Sequence, residues 1–210
     1  MTTKGNRSGT AAKGSEKADE PRAYHKGNVA ADLKAVALRL LKTERLEDIS
    51  ARRLCREVGV TYANFYNHFP SYDYLMLDIA ADAFAARVES NRRIIEASSS
   101  RREAMFEIAV TTVEFAVKTP QLFRLMFGQI ESEMGPPRFD EEASRSMRVL
   151  GRAAGAESVD DPNAYAFFAF TQGLARIVSQ NFVNESLKTA AARRRFVRRV
   201  SEAFFAGVRD

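Results

Sequence analysis

Between Val29 and Leu41 the apolar side chains Val29, Leu33, Val36, Ala37, Leu40 and Leu41 recur at spacings of three and four. That spacing makes one stripe along an α-helix and fits no half-buried strand, where apolar residues alternate. The same period returns in segment after segment to the C-terminus, and nowhere does a period of two persist. The chain is therefore expected to be all-α, with about nine helices. Candidate starts and stops punctuate the pattern. Ser50 can cap "ARRLCREV", Gly59 admits the positive φ that ends a helix, and Thr61 can cap a short helix over 62–68. Ser71 can cap "YDYLMLDIAADAFAARVESNRRIIEA", with Asp73 in its first turn against the helix dipole. Further helices are expected over "RREAMFEIAVTTVEFAVKT", "QLFRLMFGQ", "DEEASRSMRVLGRAAG", "DDPNAYAFFAFTQGLARIVSQNFV" and "AAARRRFVRRVSEAFFAGV", with a Pro/Gly break at 131–140.

The first 26 residues are different. They are rich in Gly, Ser, Thr, Lys and Ala and nearly devoid of large apolar groups. Such a segment cannot bury enough surface to offset the entropy of ordering, so a disordered basic tail is expected. Charge is unevenly spread. Residues 1–70 hold 13 Lys and Arg against 8 Asp and Glu, whereas residues 71–210 hold 19 of each. The whole excess of +5 thus lies in the first third, which fits a front end that meets a polyanion and a neutral remainder. The division expected is a tail over 1–26, a front-end domain over 27–87, and a C-terminal domain over 88–210.

Several function classes recede. The single cysteine, Cys55, excludes an intrachain disulfide framework. With two histidines, His25 and His68, far apart, neither a metal site nor a cofactor is expected. No apolar run approaches the roughly 20 residues of a membrane span, and the polar N-terminus has no apolar signal region, so a cytoplasmic location is expected. Paired catalytic carboxylates, Ser-His or Cys-His sets and Gly-rich phosphate loops are also missing from the sequence, which argues against an enzyme. Cys55 shares a helical face with Ala51, Leu54 and Val58 and reads as a small core residue rather than a redox sensor.

The stretch "GVTYANFYNHF", Gly59 to Phe69, carries four rings with Asn64, Asn67 and His68 between them. It is too polar for a core helix and too aromatic for a solvent face. Two helices joined by a short glycine-containing turn, the second of them short and mixed in this way, match a helix-turn-helix motif over about 50–69. Phe65 and Phe69, four apart, should face inward. Thr61, Tyr62, Asn64, Tyr66, Asn67 and His68 are then left for DNA. Hydroxyls of Thr61 and Tyr66 can donate to phosphate oxygens, Asn64 can present a bidentate edge to adenine, and Arg52 and Arg53 can reach backbone phosphates.

The segment "DISARRLCREVGVTYANFYNHFPSYDYL" resembles the DNA-binding domain of TetR-type transcriptional regulators. The likeness rests on Leu54–Cys55, Gly59–Val60, Thr61, Phe65–Tyr66 and His68–Phe69 and spans Lys26 to about Arg87. It implies a homodimer that binds a palindromic operator in double-stranded DNA through its N-terminal helices. It also implies C-terminal helices that bind a small effector and form the dimer interface, with repression of a nearby gene until the effector arrives. Family members often place a Lys three residues after the closing Phe to meet phosphate. This chain has Tyr72 there, whose hydroxyl could reach a phosphate without the charge. "FRLMFGQI" and "FFAFTQGLARI" are similar to a TetR subgroup with a Trp…His-Gly signature. Phe168 stands at the Trp position and Gln172 at the His position, and Gly173 agrees.

The large apolar groups of the C-terminal part, Met105, Phe106, Phe123, Met126, Phe127 and Phe168, together with Gln172, are the candidate lining of a pocket for an apolar or aromatic effector. The run "RRRFVRR" reads as arginines flanking a stripe of Phe196, Val197, Val200, Ala203 and Phe204, and the last two helices are the expected dimer interface. A dimeric DNA-binding protein that senses nothing is the alternative reading.

Overall fold

The computed structural model describes residues 28–128, 135–158, 160–180 and 187–206. The expected disordered tail over 1–26 lies outside the described residues. Among the described residues the chain is helical throughout, with no strand. The helices are α1 (Val29–Leu40), α2 (Ala51–Val58), α3 (Tyr62–Tyr66), α4 (Tyr72–Ala97), α5 (Arg101–Lys118), α6 (Pro120–Phe127), α7 (Pro137–Ala154), α8 (Pro162–Ser179) and α9 (Ala190–Ala206). A 3₁₀ turn, Leu46–Asp48, sits between α1 and α2.

Ser50, Thr61 and Ser71 cap their helices as expected, and Asn28 and Ser100 are further caps beyond those expected. Side chains of Asn28, Ser50, Thr61, Ser71 and Ser100 accept hydrogen bonds from backbone N–H groups in the first turns of α1 to α5. Each satisfies a donor that no helical carbonyl can reach. Asp161 does the same for α8, with Pro162 at the first position. Several boundaries differ from expectation: the short helix expected over 62–68 stops at Tyr66, and α6 runs from Pro120 to Phe127. The segment read as a Pro/Gly break over 131–140 is helical from Pro137, which opens α7 at its first position. Proline serves there because its missing N–H would have no helical partner anyway.

Two cores result. The first gathers Leu33, Ala37, Leu40, Leu54, Cys55, Phe65, Phe69, Leu75, Met76 and Ile79 from α1 to α4. It also takes Leu125 and Met126 from α6, so the first three helices do not close their core alone. The second gathers Ile108, Ala109 and Val113 of α5 with Leu150 of α7, Phe167 and Leu174 of α8, and Val197 and Phe205 of α9. A small third cluster, Ala116, Phe123 and Ala175, lies between α5, α6 and α8. Helix α4, with 26 residues and about 39 Å of length, contributes to the first core at its N-terminal end and carries Ile94 and Ile95 to the edge of the second.

Ion pairs lock α4 to its neighbours. Lys34 of α1 contacts Asp78 at 2.7 Å and Asp82 at 2.5 Å, and Arg138 of α7 contacts the same two carboxylates at 3.3 and 2.5 Å. Burial works against the Lys34 ammonium, but its hydrogen bonds to Asp78 and Asp82 outweigh that and hold its pKa above the ordinary value.

The arginine run in α9 packs otherwise than expected. The buried stripe is Arg193, Val197, Ser201 and Phe205, four residues apart. Arg193 turns inward and forms a two-pronged pair with Glu114 of α5, at 2.6 and 2.8 Å, while its remaining nitrogen donates to the carbonyls of Leu187 and Lys188. Arg194 pairs with Glu107, and the guanidinium groups of Arg194 and Arg198 lie 4.9 and 4.3 Å from the Phe106 ring centre. Of the expected stripe, Val197 is buried, Phe196, Val200 and Phe204 are half-buried on the adjoining face, and Ala203 is exposed.

Candidate nucleic-acid interface

The turn between α2 and α3 is set by one residue. Gly59 has φ +79°, and the N–H groups of Gly59 and Val60 both donate to the Cys55 carbonyl at 2.9 Å. A side chain at this glycine would meet no atom within 4 Å, so backbone conformation rather than space requires it. Thr61 then starts α3, its Oγ1 accepting from the Asn64 N–H at 3.1 Å. The helix is five residues long. That is too short to be stable by itself, so tertiary packing must hold it. Phe65, fully buried, and Phe69 supply that packing, with ring centres 5.8 Å apart, in the core that also holds Leu54 and Cys55. Burial of Phe65 contributes about 2–3 kcal/mol. Burial also raises the pKa of the Cys55 thiol, which fits a packing role.

The opposite side of α3 faces solvent. Tyr62 is 43% exposed and Tyr66 48%. Their hydroxyls are 2.8 Å apart and their rings meet edge-on at 5.1 Å. The Arg52 guanidinium lies 5.7 Å from the Tyr62 ring centre. Thr61, Asn67 and His68 are exposed on the same short element. The hydrogen bond shared with Tyr62 is the main cause of a raised pKa at Tyr66, so the Tyr66 phenol is neutral near pH 7 and keeps its hydroxyl proton. Arg52, Tyr62 and Tyr66 thus form one exposed cationic and hydroxyl-bearing cluster. The sequence pattern offered each of these residues to DNA, from two helices, but did not place them in mutual contact.

Three other candidates sit differently. Arg53 is engaged by the scaffold, pairing with Glu44 at 2.8 Å and Glu57 at 3.8 Å, and Glu57 in turn pairs with Arg39 at 2.7 Å. Asn64 is half-buried, with its Oδ1 packed away and without a hydrogen-bond partner. The Tyr72 hydroxyl is also buried without a partner, and its pKa is pushed up to about 12, by burial first and by Asp73 second.

The candidate pocket residues divide among the cores. Phe123 and Phe127 meet at 4.9 Å, and Phe127 touches Phe84 at 5.3 Å and Phe168 at 6.1 Å. Met126 belongs to the first core, whereas Met105 and Phe106 belong to the second. Gln172, one turn beyond Phe168, has a buried Oε1 without a partner. Sequence reasoning missed the polar partners of this ring cluster. Arg87 donates to Thr112 Oγ1 at 2.8 Å and lies 5.6 Å from the Phe115 ring centre, and burial pushes its pKa down to about 10. Two contacts between α6 and the 3₁₀ turn were equally invisible. Gln121 Oε1 accepts from the Leu46 N–H at 3.1 Å, and Arg124 pairs with Glu47. Partners 75 and 77 residues apart leave no periodic trace in a sequence.

Among the described residues no helix is long and apolar enough to cross a membrane, and no group of three or more His, Cys, Asp or Glu could hold a metal ion.

No protein-family model matches the chain, and no curated protein does. Solved structures do. A protein of unknown function from Rhodococcus sp. RHA1 superposes with a TM-score of 0.68 at 26% identity, over 89% of this chain and 98% of that one. A TetR transcriptional regulator from the same organism matches with a TM-score of 0.59 at 14% identity, over 88% and 100%. The transcriptional regulator FadR from Bacillus subtilis, in complex with stearoyl-CoA, matches with a TM-score of 0.62 at 10% identity, over 85% and 99%. The chain has the fold of TetR-type regulators.

Proposed function

We propose that the protein is a homodimeric, ligand-responsive transcriptional repressor that binds a palindromic DNA operator through α2 and α3. The observation that carries this reading is the two-sided α3. Phe65 and Phe69 anchor it, and Arg52, Thr61, Tyr62, Tyr66, Asn67 and His68 stand outward from a rigid, capped turn. Arg52 and the tyrosine hydroxyls suit phosphate oxygens, which position a protein on the duplex. Asn67 and His68 carry the donors and acceptors that base edges require. Asn64 joins them once its amide turns outward.

The dimer rests on α8 and α9. Tyr165 and Ile177 are large apolar groups exposed on α8, Phe196 and Val200 are half-buried on α9, and Phe170 and Phe204 stack at 4.2 Å where the two helices meet. Two such helices from each copy would make a four-helix interface with two-fold symmetry. In that dimer the recognition helices must lie about 34–36 Å apart to enter successive major grooves. Helix α4 spans from the recognition region to the second core, so a ligand that favours one packing of the C-terminal helices can change this spacing. Moving occupancy from nearly full to nearly none takes roughly 5.5 kcal/mol of differential affinity.

The test is selection of bound sequences from a random duplex pool with purified protein at fixed salt. A palindrome with half-sites one helical turn apart is the expected result. Bulk binding that selects no sequence would overturn the reading.

A further inference from the structure

Between α6 and α8 lies a cleft of about 410 Å³, within the range of small-molecule sites. Its floor is Phe123 and Phe127 and its rim carries Arg124 and Arg176, with no carboxylate among the described lining residues. Phe127 joins the floor to the rings of Phe84 and Phe168, and Phe123 joins it to Phe115, over which Arg87 lies. No carboxylate pairs with Arg87 or Arg176 among the described residues. Charge of one sign over an aromatic floor is complementary to an organic anion with an apolar body.

Arg124 has a second allegiance. Its partner is Glu47, in the 3₁₀ turn that leads into α2, and its neighbour on the rim, Gln121, accepts from Leu46 in the same turn. The rim of the cleft is therefore also the tether of the DNA-binding helices. We propose that this cleft takes a small organic anion with an aromatic or acyl body, and that the anion draws Arg124 away from Glu47. This deepens the repressor reading, on which its regulatory meaning rests, by naming the effector class. Because Glu47 and the anion compete for one guanidinium, binding loosens the tether by the same factor by which the tether weakens binding.

The experiment titrates the full-length protein with the fluorescent anion 1-anilinonaphthalene-8-sulfonate and with its neutral relative N-phenyl-1-naphthylamine. Arg176→Gln and Arg124→Gln should each weaken the sulfonate by about tenfold, the scale of one charge-assisted hydrogen bond, and leave the neutral probe unchanged. Glu47→Gln should tighten the sulfonate by about threefold by freeing Arg124, an effect that a merely structural residue would not give. Thermal melts identify any variant that has lost its fold, and Arg176→Gln, at an exposed site, carries the test if Arg124→Gln does. Equal losses for both probes, or no tightening in Glu47→Gln, would overturn the proposal. The titration contains no DNA, so its failure leaves the operator reading standing, and failure to select an operator leaves this binding result standing.

Discussion

Helices α2 and α9 both carry arginine clusters, "ARRLCREV" and "RRRFVRR", yet they use them in opposite ways. In α2 the inward face is Ala51, Leu54 and Cys55, and Arg52 and Arg56 point to solvent. In α9 an arginine, Arg193, is itself part of the inward face. The difference lies in what waits opposite. Helix α2 packs on an apolar core, where an unpaired cation would be costly. Helix α9 packs on α5, where Glu114 offers a carboxylate at hydrogen-bond distance. An arginine run therefore has no fixed meaning until its partners are known.

The largest expected effect breaks the α9 side of the comparison. Arg193→Ala leaves the half-buried Glu114 without its partner, and the cost should approach that of breaking a fully buried pair, about 3–5 kcal/mol. Urea unfolding measures it, and a loss below about 1 kcal/mol would mean the pair is effectively solvated. Replacing both, as Arg193→Met with Glu114→Leu, should recover most of that stability.

Acid should reproduce part of the same loss. The hydrogen bond from Arg193 holds the Glu114 carboxyl below its usual range. Its contribution is then present in full above the unfolded value of about 4.3 and is lost as pH falls through the lower folded value. The stability gap between wild type and Arg193→Ala should narrow over that acidic window, as followed by unfolding at a series of pH values. A gap that is flat down to pH 3 would contradict the pairing.

Gly59→Ala addresses the α2 side. It forces a side chain into a left-handed conformation with no clash to add, so about 1–2 kcal/mol of strain is expected in the same unfolding assay. A neutral result would mean the turn relaxes to another conformation.

Arg52→Ala and Tyr66→Phe sharpen the comparison from the surface. Both should change stability by less than about 0.5 kcal/mol. Each should weaken all duplexes about equally, and Arg52→Ala should reduce the slope of log affinity against log salt by about one. If Arg52→Ala unfolded the protein instead, α2 and α9 would not differ as described.

Most of the local architecture was legible in the sequence because its causes are local. Ser50, Gly59, Thr61 and Ser71 fix the boundaries of α2, α3 and α4 through hydrogen bonds and a dihedral angle within a few residues. The burial of Phe65 and Phe69 and the exposure of Tyr62 and Tyr66 follow from a period of 3.6. Where α7 begins was less legible, since Pro136 and Pro137 read equally well as a break or as a helix start.

What the chain by itself determined, then, is the set of helices, their caps and the two-sided character of α3, because each depends on neighbours in sequence. Only the tertiary structure decided that Arg53 belongs to the Glu44 and Glu57 pairs, that Arg193 turns inward to Glu114, and that Gln121 and Arg124 hold the 3₁₀ turn. A charged side chain settles where a counter-charge lowers its cost of desolvation, and that counter-charge is supplied by whichever helix the fold brings alongside.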